Sequence, residues 1–247
     1  MKASQLLYGF HAITSRLKHH PQSVVKIYLD QRRHDARARD FLELIKAKGI
    51  ALYPVDSGRL DGMAGTRRHQ GVVAEVEPVK LIRDLDEVVT THGNNLLLLV
   101  LDGIQDPHNL GACLRVADAM GVQAVVAPKD RAVPMSPTVA KVASGAADTV
   151  PYVTVTNLAR TLRELKDHRV WVVGTDDEAE SDLSQAQFQC PMAWVLGAEG
   201  SGLRRLTREN CDQLVSIPML GAVESLNVSV AAGICLYESR RRQGFGD

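Results

Sequence analysis

Cysteine is scarce in this chain: four among 247 residues, at positions 113, 190, 211 and 235, with no CxxC pair. That spacing argues against a zinc site and against a disulfide scaffold, and no metal is expected. Cys113 and Cys235 fall within helical patterns and read as small buried apolar groups. Long apolar runs are missing too. The longest covers residues 96–101, far short of the roughly 20 that a membrane-spanning helix needs. The start, Met1-Lys-Ala-Ser, is polar and has no apolar core of the signal-peptide kind, so no membrane association and a cytoplasmic location are expected. Glycine fingerprints are missing as well. The string Gly197-Ala-Glu-Gly-Ser-Gly202 is neither GxGxxG nor GxxxxGK[ST], and there is no GxSxG elbow and no HExxH. This leaves a dinucleotide-dependent oxidoreductase without its motif.

Net charge is also absent, at zero overall, but its distribution is uneven. Residues 1–80 carry 14 Lys+Arg against 8 Asp+Glu, and the remainder 15 against 21. A basic front joined to an acidic back suggests that the front meets a polyanion, with a solvated basic face as the plainer alternative. Two clusters contribute most: Arg32, Arg33, His34, Arg37 and Arg39 at a helix start, and Arg67-Arg68-His69 before a strand. Cations at a helix start oppose its dipole, so helix stability does not explain the first cluster. Arg32, Arg33, Arg67 and Arg68 are the candidate phosphate contacts.

With 45% hydrophobic and 23% charged residues, the chain has the make-up of a globular protein of one large or two modest domains. Apolar spacing predicts a helical stretch over 6–17, strands at 24–29, 50–55 and 71–76, a helix over 36–47 stopped by Gly49, and an exposed Gly- and Arg-rich loop over 56–70. The expected organisation is a small α/β domain over 1–77, a linker over 78–93 and a second domain over 94–247. From residue 96 onward strands and helices alternate. Strands are expected at 96–101, 124–127, 152–155, 170–174, 192–196 and 213–218, which means a parallel sheet covered on both faces. The strands at 192–196 and 213–218 each end in a small-residue loop, and the two ends are expected to lie side by side, where exposed backbone groups can grip a polar and aromatic ligand.

A third segment starts at the end of strand 96–101 and enters a helix, the place where open α/β sheets bind ligands. It holds Asp106, a candidate cap, with Asn109 near the helix start and Arg115 further along. Read alone, Asn109 is a capping residue and Arg115 a surface arginine.

Taken together, Asp106-Pro-His-Asn-Leu-Gly-Ala-Cys-Leu-Arg115, Leu196-Gly-Ala-Glu-Gly-Ser-Gly-Leu203 and Ile217-Pro-Met with Ser225-Leu-Asn-Val-Ser-Val-Ala-Ala232 resemble the three motifs of the SpoU family. These are S-adenosylmethionine-dependent RNA ribose 2′-O-methyltransferases of the SPOUT class. The front, with Leu7-Tyr-Gly-Phe-His-Ala12 and Arg67-Arg-His-Gln-Gly-Val72, is similar to the ribosomal-protein-like RNA-binding domain of many members. The resemblance implies a deep trefoil knot at the C-terminal part and a homodimer packed through it. It implies an adenosine held mainly by backbone groups at Leu196, Gly197, Ile217, Pro218, Leu220, Ser225, Leu226 and Asn227. It also implies a polar active site of Asn109, Arg115, Glu199 and Asn227, with Ser225 beside the last. Over the full length it implies 23S rRNA as substrate, at the guanosine of the peptidyl-transferase P loop. The alternatives are another rRNA or tRNA nucleotide, or a non-catalytic RNA-binding homologue.

Overall fold

The computed structural model describes residues 4–77, 81, 82 and 84–244. The chain divides into two compact units, Met1–Lys80 and Leu81–Asp247.

The first unit runs β1 (Gln5–Tyr8), α1 (Phe10–His19), β2 (Val24–Asp30), α2 (Ala36–Lys48), β3 (Ala51–Val55), α3 (Ser57–Ala64) and β4 (Val72–Val76). Its sheet has the order β1-β4-β2-β3, with β2 and β3 parallel and the other pairs antiparallel. Ile27 and Ala74 on one face pack with Phe10, Ile13, Leu17, Phe41 and Ile45 of α1 and α2. On the other face, cross-strand register aligns Tyr8, Val73, Tyr28 and Tyr53 in one row. Helix α3 packs Leu60 onto part of that face, yet Tyr8 and Tyr53 remain 45% and 49% exposed.

Two expectations are corrected here. The stretch 6–17 is not helical throughout: Gly9, at φ +91, separates strand β1 from helix α1, a conformation that glycine enters without a steric penalty. The expected loop 56–70 contains α3, whose N-terminus is capped by the Asp56 side chain accepting from Arg59 N at 2.9 Å.

The second unit runs α4 (Leu85–His92), β5 (Leu97–Asp102), α5 (Pro107–Ala119), β6 (Ala124–Pro128), α6 (Pro137–Ala143), β7 (Tyr152–Val155), α7 (Leu158–Asp167), β8 (Trp171–Thr175), β9 (Met192–Gly197), α8 (Arg205–Glu209), β10 (Gln213–Val215) and α9 (Val228–Gln243). Its strands are parallel, in the order β10-β8-β9-β5-β6-β7. The unbroken apolar run of β5 follows from its central position. Leu97, Leu99 and Leu101 face one core with α5 and α9, while Leu98 and Val100 face the other with α4 and α7. A strand buried on both faces has no polar alternation to show. Trp194 of β9 is fully buried, and its indole Nε1 donates to Ser239 Oγ of α9 at 2.7 Å, tying the helix to the sheet.

The expected linker 78–93 is corrected in its second half. Asp84 caps α4 by accepting from Asp86 N at 2.9 Å, and Val88 and Val89 are buried against the sheet. Residues 78–80 and 83 lie outside the described residues. The expected adjacency of β9 and β10 is also corrected, because β8 lies between them and pairs with both. Their ends are therefore about 10 Å apart, two strand spacings. No helix among the described residues is long and apolar enough to cross a membrane.

Candidate active site

Helix α5 begins where β5 ends. Pro107 occupies its first turn, and Asp106 accepts from His108 N at 3.0 Å, which fixes the helix start. This sets Asn109 in the first turn, facing the loop that follows β9. The backbone of that loop closes on itself: Gly202 N donates to Ala198 O at 2.9 Å. A Cβ on Gly197 would stand 2.1 Å from the carbonyl carbon of Gly202, so no other residue fits there. The loop presents Glu199. From the third segment comes Asn227, whose Oδ1 caps α9 by accepting from Ser229 N at 2.9 Å.

These three side chains, remote in sequence, form a closed cluster. Asn227 Nδ2 donates to Glu199 Oε1 at 2.6 Å and to Asn109 Oδ1 at 2.8 Å, and Asn109 Nδ2 donates to Glu199 Oε1 at 3.0 Å. Val228 N adds a longer bond to the same oxygen, 3.4 Å. Glu199 forms no ion pair among the described residues, and Oε2 carries no hydrogen bond. The carboxylate is held by neutral donors through one oxygen, and its charge is left for a ligand. Cys113, one turn along from Asn109, is no nucleophile: burial, with a smaller push from Glu199, raises its thiol to about 12.

The remaining expected site residues are arranged differently. Arg115 is exposed and makes no hydrogen bond or ion pair among the described residues. Six residues beyond Asn109, it lies about 9 Å along α5 and about 240° around its axis, so the structure does not bring it into the cluster. Ser225 is exposed and has no hydrogen bond to the cluster. Leu196 has its side chain in the core, Ile217 packs partly against it, Leu226 is half-buried, and Pro218 and Leu220 are exposed, Leu220 fully. Among the described residues, no backbone hydrogen bond engages positions 217–226. S-adenosylmethionine fits this chemistry: it offers a sulfonium charge to an unpaired carboxylate, and an adenosine to free backbone groups and exposed apolar side chains.

In the first unit the two basic loops lie at one end of the sheet, joined by Asp30 N donating to Gly71 O at 2.9 Å. Arg32 and Arg68 are exposed there, and Arg67 is 93% exposed, 3.8 Å from Asp61. Arg33 is engaged internally instead. It donates to Asp35 Oδ2 at 2.7 Å and to Gln70 O, and stacks 4.8 Å from the Phe10 ring centroid.

Sequence reasoning missed part of the site. A cavity of about 450 Å³ adjoins the cluster and is lined by Asn109 and Glu199 together with Asp102, Gln105, Arg131 and Arg204. The Asp102 side chain is fully buried. It accepts from Arg204 N at 2.9 Å and Arg204 Nε at 2.6 Å, which locks the arginine at the rim. A carboxylate ending an otherwise apolar strand was the available signal for Asp102. Arg131 had none.

Comparison with known proteins identifies the family. The model of the SpoU rRNA methylase family matches residues 96–237, and that of the RNA 2′-O ribose methyltransferase substrate-binding domain matches residues 6–81. The chain is 61% identical to the 23S rRNA (guanosine-2′-O-)-methyltransferase RlmB of Ralstonia nicotianae, covering 98% of both chains. It is 54% identical to the protein of that name in Neisseria meningitidis, covering 96% of this chain and 95% of the relative. Among solved structures, an RNA 2′-O ribose methyltransferase superposes with a TM-score of 0.70 at 25% identity, over 98% of this chain and 90% of that one. The AviRb methyltransferase of Streptomyces viridochromogenes, in complex with AdoMet, gives 0.66 at 27% identity, over 99% and 92%. The chain belongs to the SpoU rRNA methylase family.

Proposed function

We propose that this protein methylates the ribose 2′-hydroxyl of a guanosine in 23S rRNA, that of the peptidyl-transferase P loop, using S-adenosylmethionine. The observation that carries the reading is the Asn109–Glu199–Asn227 cluster, assembled from three separate segments in a chain that matches guanosine-2′-O-methyltransferases over its whole length.

S-adenosylmethionine supplies an electrophilic methyl group on a sulfonium whose departure leaves a neutral thioether. The difficulty lies with the nucleophile, since a ribose hydroxyl is a weak one and must lose its proton as it attacks. The protein therefore has to align the hydroxyl and stabilise charge on its oxygen. Glu199, Asn109 and Asn227 fix the three loops relative to one another, and Glu199 Oε2 is open to orient the ribose. Arg115 cannot serve as a base, because a guanidinium stays protonated. From its exposed helix face it binds the phosphate adjoining the target and stabilises the developing alkoxide through it, while the proton leaves to phosphate or water. Ser225 stands exposed beside Asn227, with its hydroxyl open to the bound nucleoside.

The first unit, over residues 1–77, holds the RNA through Arg32, Arg67 and Arg68, with Arg33 shaping the loops that carry them. Support comes from the basic excess of this part of the chain and from the half-exposed Tyr8 and Tyr53, which offer stacking faces to unpaired bases. The protein works as a homodimer in the cytoplasm. The dimer is supported by the exposed Val230, Ile234 and Tyr237 on one face of α9, apolar surface that a second copy would cover. A knotted C-terminal part belongs to the same reading. In its favour, the chain leaves β10 at the sheet edge, pairs at Ser216 with Asp182 in the β8–β9 connection, and returns to pack α9 on β9.

The test is mapping of 2′-O-methyl groups on unmodified 23S rRNA after incubation with the protein and S-adenosylmethionine. A single new signal at the P-loop guanosine is expected. Methylation elsewhere would overturn the target, and cofactor binding without any methylation would overturn the reaction.

A further inference from the structure

The cavity beside the cluster lies on the side of β5 and α5. None of residues 217–227, the segment expected to hold the cofactor with the β9 loop, lines it. It shares Asn109 and Glu199 with the cluster, so a nucleotide whose ribose reaches Glu199 would direct its base or its phosphate into this space. Charge decides between the two. Both carboxylate oxygens of Asp102 are committed to Arg204, so that pair is neutral. What remains is one cation, Arg131, against two carboxylates, Asp106 and Glu199. A phosphate would enter an excess of negative charge. A neutral base carrying both donors and acceptors would not.

Arg131 is the unusual residue of the lining. Its backbone lies in the left-handed region at φ +60, which is unfavourable for a side chain of this kind. The loop is nevertheless fastened in register with the start of α5, since Val133 N donates to Ile104 O at 2.9 Å. The side chain itself is exposed and forms no ion pair or hydrogen bond among the described residues. A guanidinium carried on a fastened backbone, with five free donors, is suited to a pair of adjacent acceptors.

We propose that this cavity receives the base of the target guanosine and that Arg131 reads it, donating to O6 and N7. The inference rests on the guanosine-methylating reading above. Guanine alone among the RNA bases has two acceptors on its Hoogsteen edge, together with N1–H and 2-amino donors that the second oxygen of Asp106, not used in capping α5, can accept. Adenine would turn its 6-amino group towards the guanidinium and be rejected.

The experiment uses full-length protein and a 23S rRNA fragment carrying either guanosine or 7-deazaguanosine at the target position, with single-turnover methylation rates. The variant is Arg131→Asn, because asparagine tolerates the left-handed backbone and preserves the loop. The substitution is expected to slow methylation of guanosine about 10- to 100-fold, with S-adenosylmethionine affinity unchanged. Wild type should slow comparably on 7-deazaguanosine, and the variant should lose little more on that substrate, since its contact to N7 is already gone. Multiplying losses, or a variant as fast as wild type on guanosine, would overturn the assignment. Failure of wild type to methylate the unmodified guanosine would instead remove the functional reading on which it stands.

Discussion

Asn227 and Glu199 are joined by a hydrogen bond of 2.6 Å between Nδ2 and Oε1, and the same asparagine caps α9 through its Oδ1. One side chain thus couples the start of a core helix to the loop after β9. The carboxylate in turn holds Asn109, at the start of α5. The cluster is a clamp between three elements.

If Glu199 acts by holding that clamp, Glu199→Gln should keep turnover within about tenfold of wild type, since an amide oxygen still accepts both bonds. Glu199→Ala removes the acceptor that joins all three elements, leaving only the bond between Asn227 and Asn109, and should lose about 100-fold or more, roughly 3 kcal/mol. Rates across pH decide the role. If Gln is as damaging as Ala and the acid limb disappears, Glu199 works as an acid–base group and not as a clamp.

Arg115→Lys keeps the charge and removes the fork. A bidentate phosphate contact predicts a fall in kcat/KM of about 10- to 100-fold with unchanged cofactor binding. Near-normal turnover of the lysine variant would eliminate the bidentate role.

Removing residues 1–77 should weaken binding to a 23S rRNA fragment far more than binding to S-adenosylmethionine. Within the full chain, Arg67→Ala with Arg68→Ala should reduce the salt dependence of RNA affinity by about one to two phosphate contacts. Arg33→Ala should instead lower the melting temperature, since its fork bridges Asp35 and Gln70. Filter binding over a salt series, with thermal melts alongside, separates the two classes.

Gly111 lets α5 and α6 touch. A Cβ there would lie 2.6 Å from Val142 Cβ and 2.9 Å from Val139 O. Gly111→Ala is expected to destabilise by about 1–3 kcal/mol in denaturant unfolding. Adding Val142→Ala removes only the Cγ1 contact at 2.9 Å and leaves Val142 Cβ and Val139 O against the new methyl, so it should recover little, and full recovery would contradict the contact.

Burial raises the thiols of Cys113 and Cys211 to about 12 and that of Cys235 higher still. Cys190 is exposed, and its upward shift from burial is opposed by Arg240. A thiolate forms only as pH rises through the thiol's own pKa, so a disulfide reagent near pH 8 should titrate one group in the native protein. The other three should appear on unfolding. Two fast native thiols would contradict the described burial.

Much of the second unit was legible because its physics is local. The run 96–101, the helix stops and the acidic caps follow from side chains acting on their own neighbourhood. Asn109, Glu199 and Asn227 were legible only through the resemblance of their motifs, since no spacing rule joins positions so far apart. That Arg115 would face away from Asn109 was available from helical periodicity. The insertion of β8 between β9 and β10 was not, because strand order is decided by which surfaces are buried after collapse. Strand β1 and helices α3 and α4 escaped notice because each is short, and tertiary packing, more than propensity, holds such elements. The left-handed turn at Arg131 leaves no trace in residue type.

Strand β8 contributes nothing to the cavity or the cluster, yet it separates the two loops that would embrace the cofactor. At Gly174 that spacer is as thin as a polypeptide can be. A Cβ there would meet Cys211 Sγ and Leu214 Cδ2 at 2.8 Å and Leu203 Cδ1 at 2.9 Å. These neighbours belong to the segment that follows the Glu199 loop and leads into β10, so a single added methyl would push on the framework carrying both loops. If those loops hold the methyl donor as proposed, their grip is adjustable from a residue that never touches it. A search for affinity-altering substitutions confined to the site's own lining would pass this position by.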